Sequence, residues 1–138
     1  MTRDQARSEV VAFWLARSDE AVASALAELD ASRCAFAVNR AYYACFYALS
    51  AVLLAEGRKY VKHSGVRAAL HRQFIRSGRL DPSWGRIYDR VFENRHRGDY
   101  QELVVFEADH VRELCDQAAE FVTQMRRLLD DDAKMPAP

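Results

Sequence analysis

Apolar residues recur every three or four positions along most of this chain, which is the spacing of one face of an α-helix. The pattern is most regular in the second of five such segments, whose apolar stripe consists of Val38, Tyr42, Cys45, Leu49 and Val52. A stripe of this kind predicts a helix that is buried in a bundle. The five segments predict helices at about residues 3–29, 33–56, 65–77, 82–97 and 106–129.

Short polar and glycine signals mark the expected ends of these helices. Thr2 followed by Gln5 has the spacing of a capping box, and Asp81 before Pro82 is typical of a helix start. The other expected N-caps are Ser32 and Ser64, and the expected stops are Gly57, Gly78 and Gly98.

Length and composition agree with a helical domain. The chain has 138 residues, half of them hydrophobic, which suits one core, and it contains only five glycines and three prolines. The predicted fold class is therefore all-α, a single-domain antiparallel bundle of about five helices over residues 1–129. Three aspartates open residues 130–138, where they are unfavourable at a helix C-terminus, so we expect a flexible, acidic, proline-containing tail there.

Cysteine and histidine usage argues against a bound metal ion. The three cysteines form no CxxC pair, and the four histidines form no HExxH motif. We therefore expect reduced thiols, no metal and no cofactor. No uninterrupted apolar run of about 18 residues could cross a membrane, and we expect a cytoplasmic protein without a membrane partner.

The charge is zero overall but unevenly distributed. Between Arg58 and Arg97 there are eleven lysines and arginines but only three acidic residues, a local balance of +8. This segment could form a positive face that meets RNA, a nucleotide or an acidic partner. It could equally be a solvated surface that pairs with the acidic ends of the same chain.

The stretch ENRHRGDY near the end of the fourth helix has two interpretations. In the first, its RHR forms the last helical turn, where cations complement the helix dipole, and Gly98 ends the helix. In the second, Arg95 binds a phosphate and His96 transfers a proton, a pair that suits RNA cleavage without a metal ion. Adjacent side chains on a helix diverge by about 100°, and Arg90, six residues before His96, also lies on another face. A site would therefore need two copies of the chain, related by a two-fold axis.

The predicted second helix carries a polar stripe beside its apolar one. Arg40 and Tyr43 lie on this stripe, and Asn39 precedes Tyr43 by four residues. An arginine buried there needs a partner, for which Asp99 and the tyrosine hydroxyls are candidates. The stripe is either a polar network that joins two helices or a site for a nucleotide or RNA.

A second basic motif precedes the third helix, where Lys62 and His63 come just before Ser64. These two residues could contact a phosphate together with the N–H groups at the start of that helix. Alternatively, His63 is a loop residue that packs against a neighbouring helix.

Three motifs, taken in this order, resemble the HEPN domain family (higher eukaryotes and prokaryotes nucleotide-binding). They are AVNRAYYACFYALSAVLLAEG, then KHSGV, then the RxxxDY of Arg95, Asp99 and Tyr100. The resemblance is greatest to small single-domain bacterial and archaeal members and covers nearly the whole chain. It implies an all-α bundle, usually a homodimer. Many such proteins are metal-independent endoribonucleases, and others are toxins paired with a minimal nucleotidyltransferase as antitoxin.

The chain departs from the motif of the family's nucleases. In those members an arginine is followed after four to six residues by a histidine. In the members paired with a nucleotidyltransferase, a tyrosine two residues after that histidine can receive AMP. Counted from Arg95, the histidine position falls at or beyond Tyr100, and Asp99 and Tyr100 stand there. A carboxyl with an ordinary pKa of about 3.9 is a poor proton carrier near neutral pH. Arg90 and His96 fit the spacing, but a glycine stands where the tyrosine is expected.

Three functions remain open on these patterns. The first is a toxin-like, metal-independent endoribonuclease with a composite Arg/His site at a dimer cleft. The second is a non-catalytic HEPN dimer that binds a nucleotide or a nucleotidyltransferase partner and regulates it. The third is a structural helical adaptor.

Overall fold

The computed structural model describes residues 2–101 and 103–134, and over these residues the chain is an all-α bundle without β-strands. The predicted fold class is thereby confirmed. The helices are α1 (Arg3–Asp30), α2 (Cys34–Ala55), α3 (His63–Ala69), α4 (Pro82–Tyr100) and α5 (Ala108–Lys134), and α3 continues into a π-helical segment, Leu70–Ile75. None of the helices in these described ranges combines the length and apolar character needed to cross a membrane.

The central helix is α2, which packs against α1, α4 and α5. Every member of its predicted apolar stripe is buried, which confirms that prediction. Most of the other buried residues of α2 are alanines, whose small side chains let the backbones of neighbouring helices approach closely. One such approach is a 2.7 Å hydrogen bond that the buried Ser18 hydroxyl of α1 donates to the Ala44 carbonyl. The core is therefore built around α2, and residues at its exposed edge are held in fixed positions.

Several predicted helix ends are confirmed. Thr2 Oγ1 accepts a bond from the Gln5 backbone at 3.1 Å, and Gln5 Oε1 accepts one from the Thr2 backbone at 2.7 Å, completing the capping box. Asp81 accepts a backbone N–H of the first turn of α4 at 2.9 Å. Gly57 and Gly78 follow their helices with φ of +80° and +82°, the left-handed conformation that glycine adopts readily.

Ser32 ends α1 and does not cap α2, so that prediction is wrong. Its φ is +62°, and its N–H donates to the Leu29 carbonyl at 2.9 Å. The next N–H, of Arg33, donates to the Glu28 carbonyl at 2.8 Å. These two bonds are the Schellman pattern of a helix C-terminus. The sequence signal was ambiguous because the end of α1 and the start of α2 share one short turn.

Two other helix ends differ from prediction. α3 begins at His63, so Ser64 lies in the first turn and is not the N-cap. α5 continues to Lys134, past its predicted end near residue 129. Each residue added to an existing helix gains a backbone hydrogen bond, so a long packed helix extends through unfavourable residues at little cost. The last part of the predicted tail, 135–138, lies outside the described residues.

Gly98 does not end α4, which continues through it to Tyr100. The φ angle of Gly98 is not positive, so this glycine is not a left-handed cap. A Cβ at this position would lie 3.0 Å and 3.2 Å from ring carbons of Phe106, in the connection to α5. The missing side chain therefore makes room for an aromatic ring. The prediction of a helix stop at Gly98 is wrong because a packing requirement, and not a backbone one, selects glycine here.

Candidate functional site

An arginine of α4 packs against tyrosines of α2 near the start of α3. The guanidinium carbon of Arg95 lies 5.1 Å from the ring centre of Tyr42 and 5.5 Å from that of Tyr43. Its Nη2 donates to the Tyr43 hydroxyl at 3.4 Å. Only 16% of the Arg95 side chain is exposed. Cation–π contacts with a desolvated guanidinium contribute on the order of 2 kcal/mol, so the tyrosines hold this charge in place.

Asp99, one helical turn after Arg95, supplies the negative charge. Its Oδ2 lies 2.9 Å from Arg95 Nε, but the N–H is not aligned for a hydrogen bond, and Nε has no hydrogen-bond partner among the described residues. Nη1 likewise makes no hydrogen bond to a described residue. The carboxylate thus compensates the charge of the guanidinium and leaves Nη1 without a hydrogen-bond partner among the described residues.

Arg40 does not pair with Asp99, one of the partners that the sequence suggested for it. Asp99 is paired with Arg95, while Nε and Nη2 of Arg40 donate to Oδ1 of the neighbouring Asn39 at 3.1 Å and 2.6 Å. The Arg40 guanidinium carbon also lies 5.1 Å from the ring centre of Tyr43. Two guanidinium groups therefore flank Tyr43, which is partly exposed between them.

His63 lies beside the same tyrosines. Its ring stacks on Phe46 with 4.3 Å between the ring centres and an angle of 13° between the planes. Its Nδ1 is 2.6 Å from the Tyr42 hydroxyl oxygen. Burial, and then the nearby charge of Arg95, lower the pKa of His63 below its ordinary value. Burial raises the pKa of Tyr42 to about 12, so its hydroxyl keeps its proton.

Packing of His63 against α2, one of the two alternatives that the sequence left open, is thus observed. This packing is compatible with phosphate binding by Lys62 and His63, which stays a prediction. Lys62 is exposed immediately before α3. His63 is partly exposed, and its Nε2 has no hydrogen-bond partner among the described residues.

His96 and Tyr100 lie on the outside of the last turns of α4. Both are exposed, and their ring centres are 4.8 Å apart. Arg95 instead packs inward against α2. The two neighbouring side chains therefore diverge, as helical geometry requires.

Arg90 lies in a different environment, against α5. Its Nη1 donates to Glu113 and to Gln117, both at 2.9 Å, and its Nη2 is 3.3 Å from His110 Nδ1. The Arg90 charge also lowers the pKa of Glu113. The structure does not bring Arg90 and His96 together within one chain.

Much of the basic segment is paired with the chain's own carboxylates. Arg67 lies between two of them, with Nε 2.8 Å from Asp89 and Nη2 3.1 Å from Glu93. The other pairs are Arg79 with Glu56, Arg90 with Glu113 and Arg95 with Asp99. Asp89 and Glu93 lie within the basic segment, Glu56, Glu113 and Asp99 lie outside it, and all five carboxylates are at least partly exposed. The segment therefore forms a surface of mixed charge.

Sequence reasoning missed Tyr42 and Phe46 as members of the site. Tyr42 was assigned to the apolar stripe, which is correct for its ring, but its hydroxyl contacts a residue of another helix. No local spacing connects these α2 residues with His63. Within the described ranges, no three His, Cys, Asp or Glu side chains converge to hold a metal ion.

The bundle and its motifs match a known family. The profile of the HEPN domain matches residues 11–128. The chain belongs to the HEPN domain family, as the resemblance of its motifs predicted.

Individual relatives agree with this assignment. The chain is 40% identical over 125 residues to the "UPF0332 protein" of Thermotoga maritima, covering 91% of this chain and 95% of that protein. It is also similar to two Methanocaldococcus jannaschii proteins, each named a "putative toxin". One is 28% identical over 94 residues, 68% of this chain and 64% of that protein. The other is 32% identical over 82 residues, 53% of this chain and 61% of that protein.

Proposed function

We propose that this protein is the toxin-like member of a HEPN and nucleotidyltransferase pair, and that it cleaves RNA without a metal ion. Family membership and the names of two relatives support the toxin-like class. The observation that carries the proposal is the state of Arg95. Its guanidinium is nearly buried against two tyrosines, is compensated by one carboxylate, and makes no hydrogen bond through Nη1 to a described residue.

Such a guanidinium is suited to a phosphodiester. Arginine binds phosphate oxygens through charge-assisted hydrogen bonds, and these strengthen as negative charge develops in the transition state. The nucleophile is the 2′-hydroxyl of the RNA, so no protein nucleophile is needed. Cleavage leaves a 2′,3′-cyclic phosphate on one product and a 5′-hydroxyl on the other. The partly exposed rings of Tyr43 and Phe46 are aromatic surfaces of the kind on which unpaired bases stack.

The predicted role of His96 requires a second copy of the chain. Because His96 faces outward and Arg95 inward, the two could meet a common phosphate only across a two-fold interface. A dimer with both α4 ends at one cleft would satisfy this condition. Light scattering over a wide concentration range tests it, and a monomer throughout would remove the composite site.

The test of the proposal is RNA cleavage in EDTA, with total RNA and a tRNA pool as substrates. We expect Arg95→Ala to lower kcat about 10²–10³-fold, the usual effect of removing one donor to a developing charge. Arg97→Ala, which removes a charge two residues along the same helix, is the matched control and should retain activity. Intact RNA with the folded wild-type protein, or equal activity of Arg95→Ala, would contradict the proposal.

A second candidate function is a non-catalytic module that binds a nucleotide or the nucleotidyltransferase itself. The pairing of Asp99 with Arg95 favours it, since no histidine follows Arg95 at the spacing of the family's nucleases and this carboxylate engages the guanidinium instead. Calorimetric titration with AMP and ATP separates the two functions. Binding that is lost in Arg95→Ala, together with intact RNA in every cleavage reaction, would support the module and exclude the nuclease.

A further inference from the structure

His63 and Arg95 of the same chain share an aromatic enclosure, which is formed by Tyr42 and Tyr43. Arg95 and His63 both pack against Tyr42 and Tyr43, which lie between α3 and α4. The ring of His63 is 5.7 Å from that of Tyr42 and 5.8 Å from that of Tyr43. The two side chains thus contact the same two tyrosines, and the charge of Arg95 is near enough to lower the pKa of His63. An anion held by Arg95 would therefore also be attracted to a protonated His63.

We propose that His63 and Arg95 form a phosphodiester-binding pair within one chain, in which Arg95 binds the phosphate and His63 transfers the proton. The proposal rests on the ribonuclease function above. It assigns to His63 the role that the sequence gave to His96. It also removes the need for a second copy to complete the catalytic groups.

The orientation of His63 is set by two contacts. Stacking on Phe46 fixes the ring plane, and the 2.6 Å contact of Nδ1 with the Tyr42 hydroxyl fixes its rotation. We assign Nδ1–H as the donor to the Tyr42 hydroxyl oxygen. This tautomer leaves Nε2 unprotonated, as a base requires.

Burial, and then the charge of Arg95, lower the pKa of His63 and favour its neutral form until a ligand arrives. Arg95 faces it from α4, the uncharged Tyr42 and Tyr43 face it from α2, and Lys62 precedes it in the chain. Asp99 belongs to the same group of charges through its pair with Arg95. A phosphate held by Arg95 would add negative charge close to the imidazole. Its binding would therefore raise the pKa of His63 and make Nε2 a stronger base for the 2′-hydroxyl proton.

The reaction balances with these groups. The 2′-oxygen attacks the phosphorus and passes its proton to Nε2 of His63, while the bond from phosphorus to the 5′-oxygen breaks. The 5′-oxygen takes a proton from water. The hydroxide that remains is neutralised when His63 releases its proton to the solvent, so no oxidant, reductant or metal takes part.

Binding can be tested without relying on catalysis. Ring resonances of the four histidines would be followed by NMR against pH, with and without adenosine 3′-monophosphate and, separately, inorganic phosphate. We expect the pKa of His63 to lie below its ordinary value in the unliganded protein and to rise with ligand. In Arg95→Ala the ligand should no longer raise it. Ligand that shifts the resonances of His96 and leaves those of His63 unchanged would overturn the proposal.

Kinetics then separates the two histidines. His63→Gln keeps a polar group of similar size against Phe46 and should lower kcat about 10²–10⁴-fold, as expected for loss of a general base. His96→Gln removes the imidazole of the alternative composite site, and a larger loss of kcat in His96→Gln than in His63→Gln would overturn the inference. The fall of kcat/KM at low pH should follow the pKa of His63. Tyr42→Phe removes the hydroxyl that orients His63 and should shift the pH at which kcat/KM falls.

The outcomes distinguish this inference from the function on which it rests. Cleavage by the wild type with full activity in His63→Gln sinks the inference and leaves the nuclease intact. No cleavage by the wild type refutes the nuclease, and the NMR titration still decides whether His63 and Arg95 bind a phosphate together.

Discussion

Replacing Gly98 by alanine tests whether this glycine ends α4 or makes room for a packed ring. The new Cβ would stand 3.0 Å and 3.2 Å from two ring carbons of Phe106, whereas carbon atoms in good contact are about 3.5–4.0 Å apart. Phe106 is only 8% exposed, so its ring is confined by its surroundings. The substitution therefore requires a shift of a buried side chain or of α4.

Two opposing free energies set the result. Alanine in a helix is favoured over glycine by up to about 1 kcal/mol. Extra volume in a packed contact costs about 1–3 kcal/mol. We expect Gly98→Ala to lower the free energy of unfolding by up to about 2 kcal/mol in the wild type. In a Phe106→Leu background the crowded ring carbons are absent, so the same change should raise it by up to about 1 kcal/mol.

Urea denaturation of the four proteins in this double-mutant cycle measures the coupling. The expected coupling between the two positions is about 1–3 kcal/mol, well above the error for independent sites. A left-handed glycine at the end of a helix would behave differently, because the backbone strain of alanine does not depend on Phe106. Equal destabilisation by Gly98→Ala in both backgrounds would therefore refute the packing explanation.

Three further outcomes follow from the structure. The pKa of His63 is lowered on folding, so the unfolded chain binds more protons than the folded one. The free energy of unfolding should therefore fall as the pH decreases through the unfolded pKa of about 6.5. Urea titrations of the wild type should show a steeper fall than those of His63→Gln. Arg90→Gln should retain RNA cleavage, because Arg90 is engaged by Glu113 on α5; a loss as large as that of Arg95→Ala would restore Arg90 to the catalytic site. Tyr100 is 69% exposed, so a partner nucleotidyltransferase given ATP should add AMP to the wild type and not to Tyr100→Phe. Intact-protein mass spectrometry measures the added mass. Equal labelling of both proteins would place the acceptor elsewhere.

The departure from the family's nuclease motif has a structural counterpart. No histidine follows Arg95 at the spacing of that motif, and Asp99, one helical turn after Arg95, pairs with Arg95 itself. The nearest imidazole in the enclosure comes from the start of α3 instead. If His63 acts as proposed, the arginine keeps its place on α4 while the proton carrier has moved to another helix.

The helices themselves were predictable because their signals are local. The apolar stripe of α2, the capping box of Thr2 and the start at Asp81 all involve residues within about one turn of each other. Errors arose where two local signals overlapped, as at Ser32, or where a distant contact selected the residue, as at Gly98. Periodicity reports which face of a helix is apolar, and it does not report which side chain of another helix will meet that face.

Sequence alone therefore determined the all-α class, the central position of α2 and the family, since these depend on periodic burial and on contiguous motifs. It also singled out Arg95 and His63 as separate candidates. Only the tertiary structure placed the two against the same tyrosines and turned His96 and Arg90 away from Arg95. Those relations depend on how α3 and α4 pack on α2, and packing is set by the combined shapes of residues far apart in the chain.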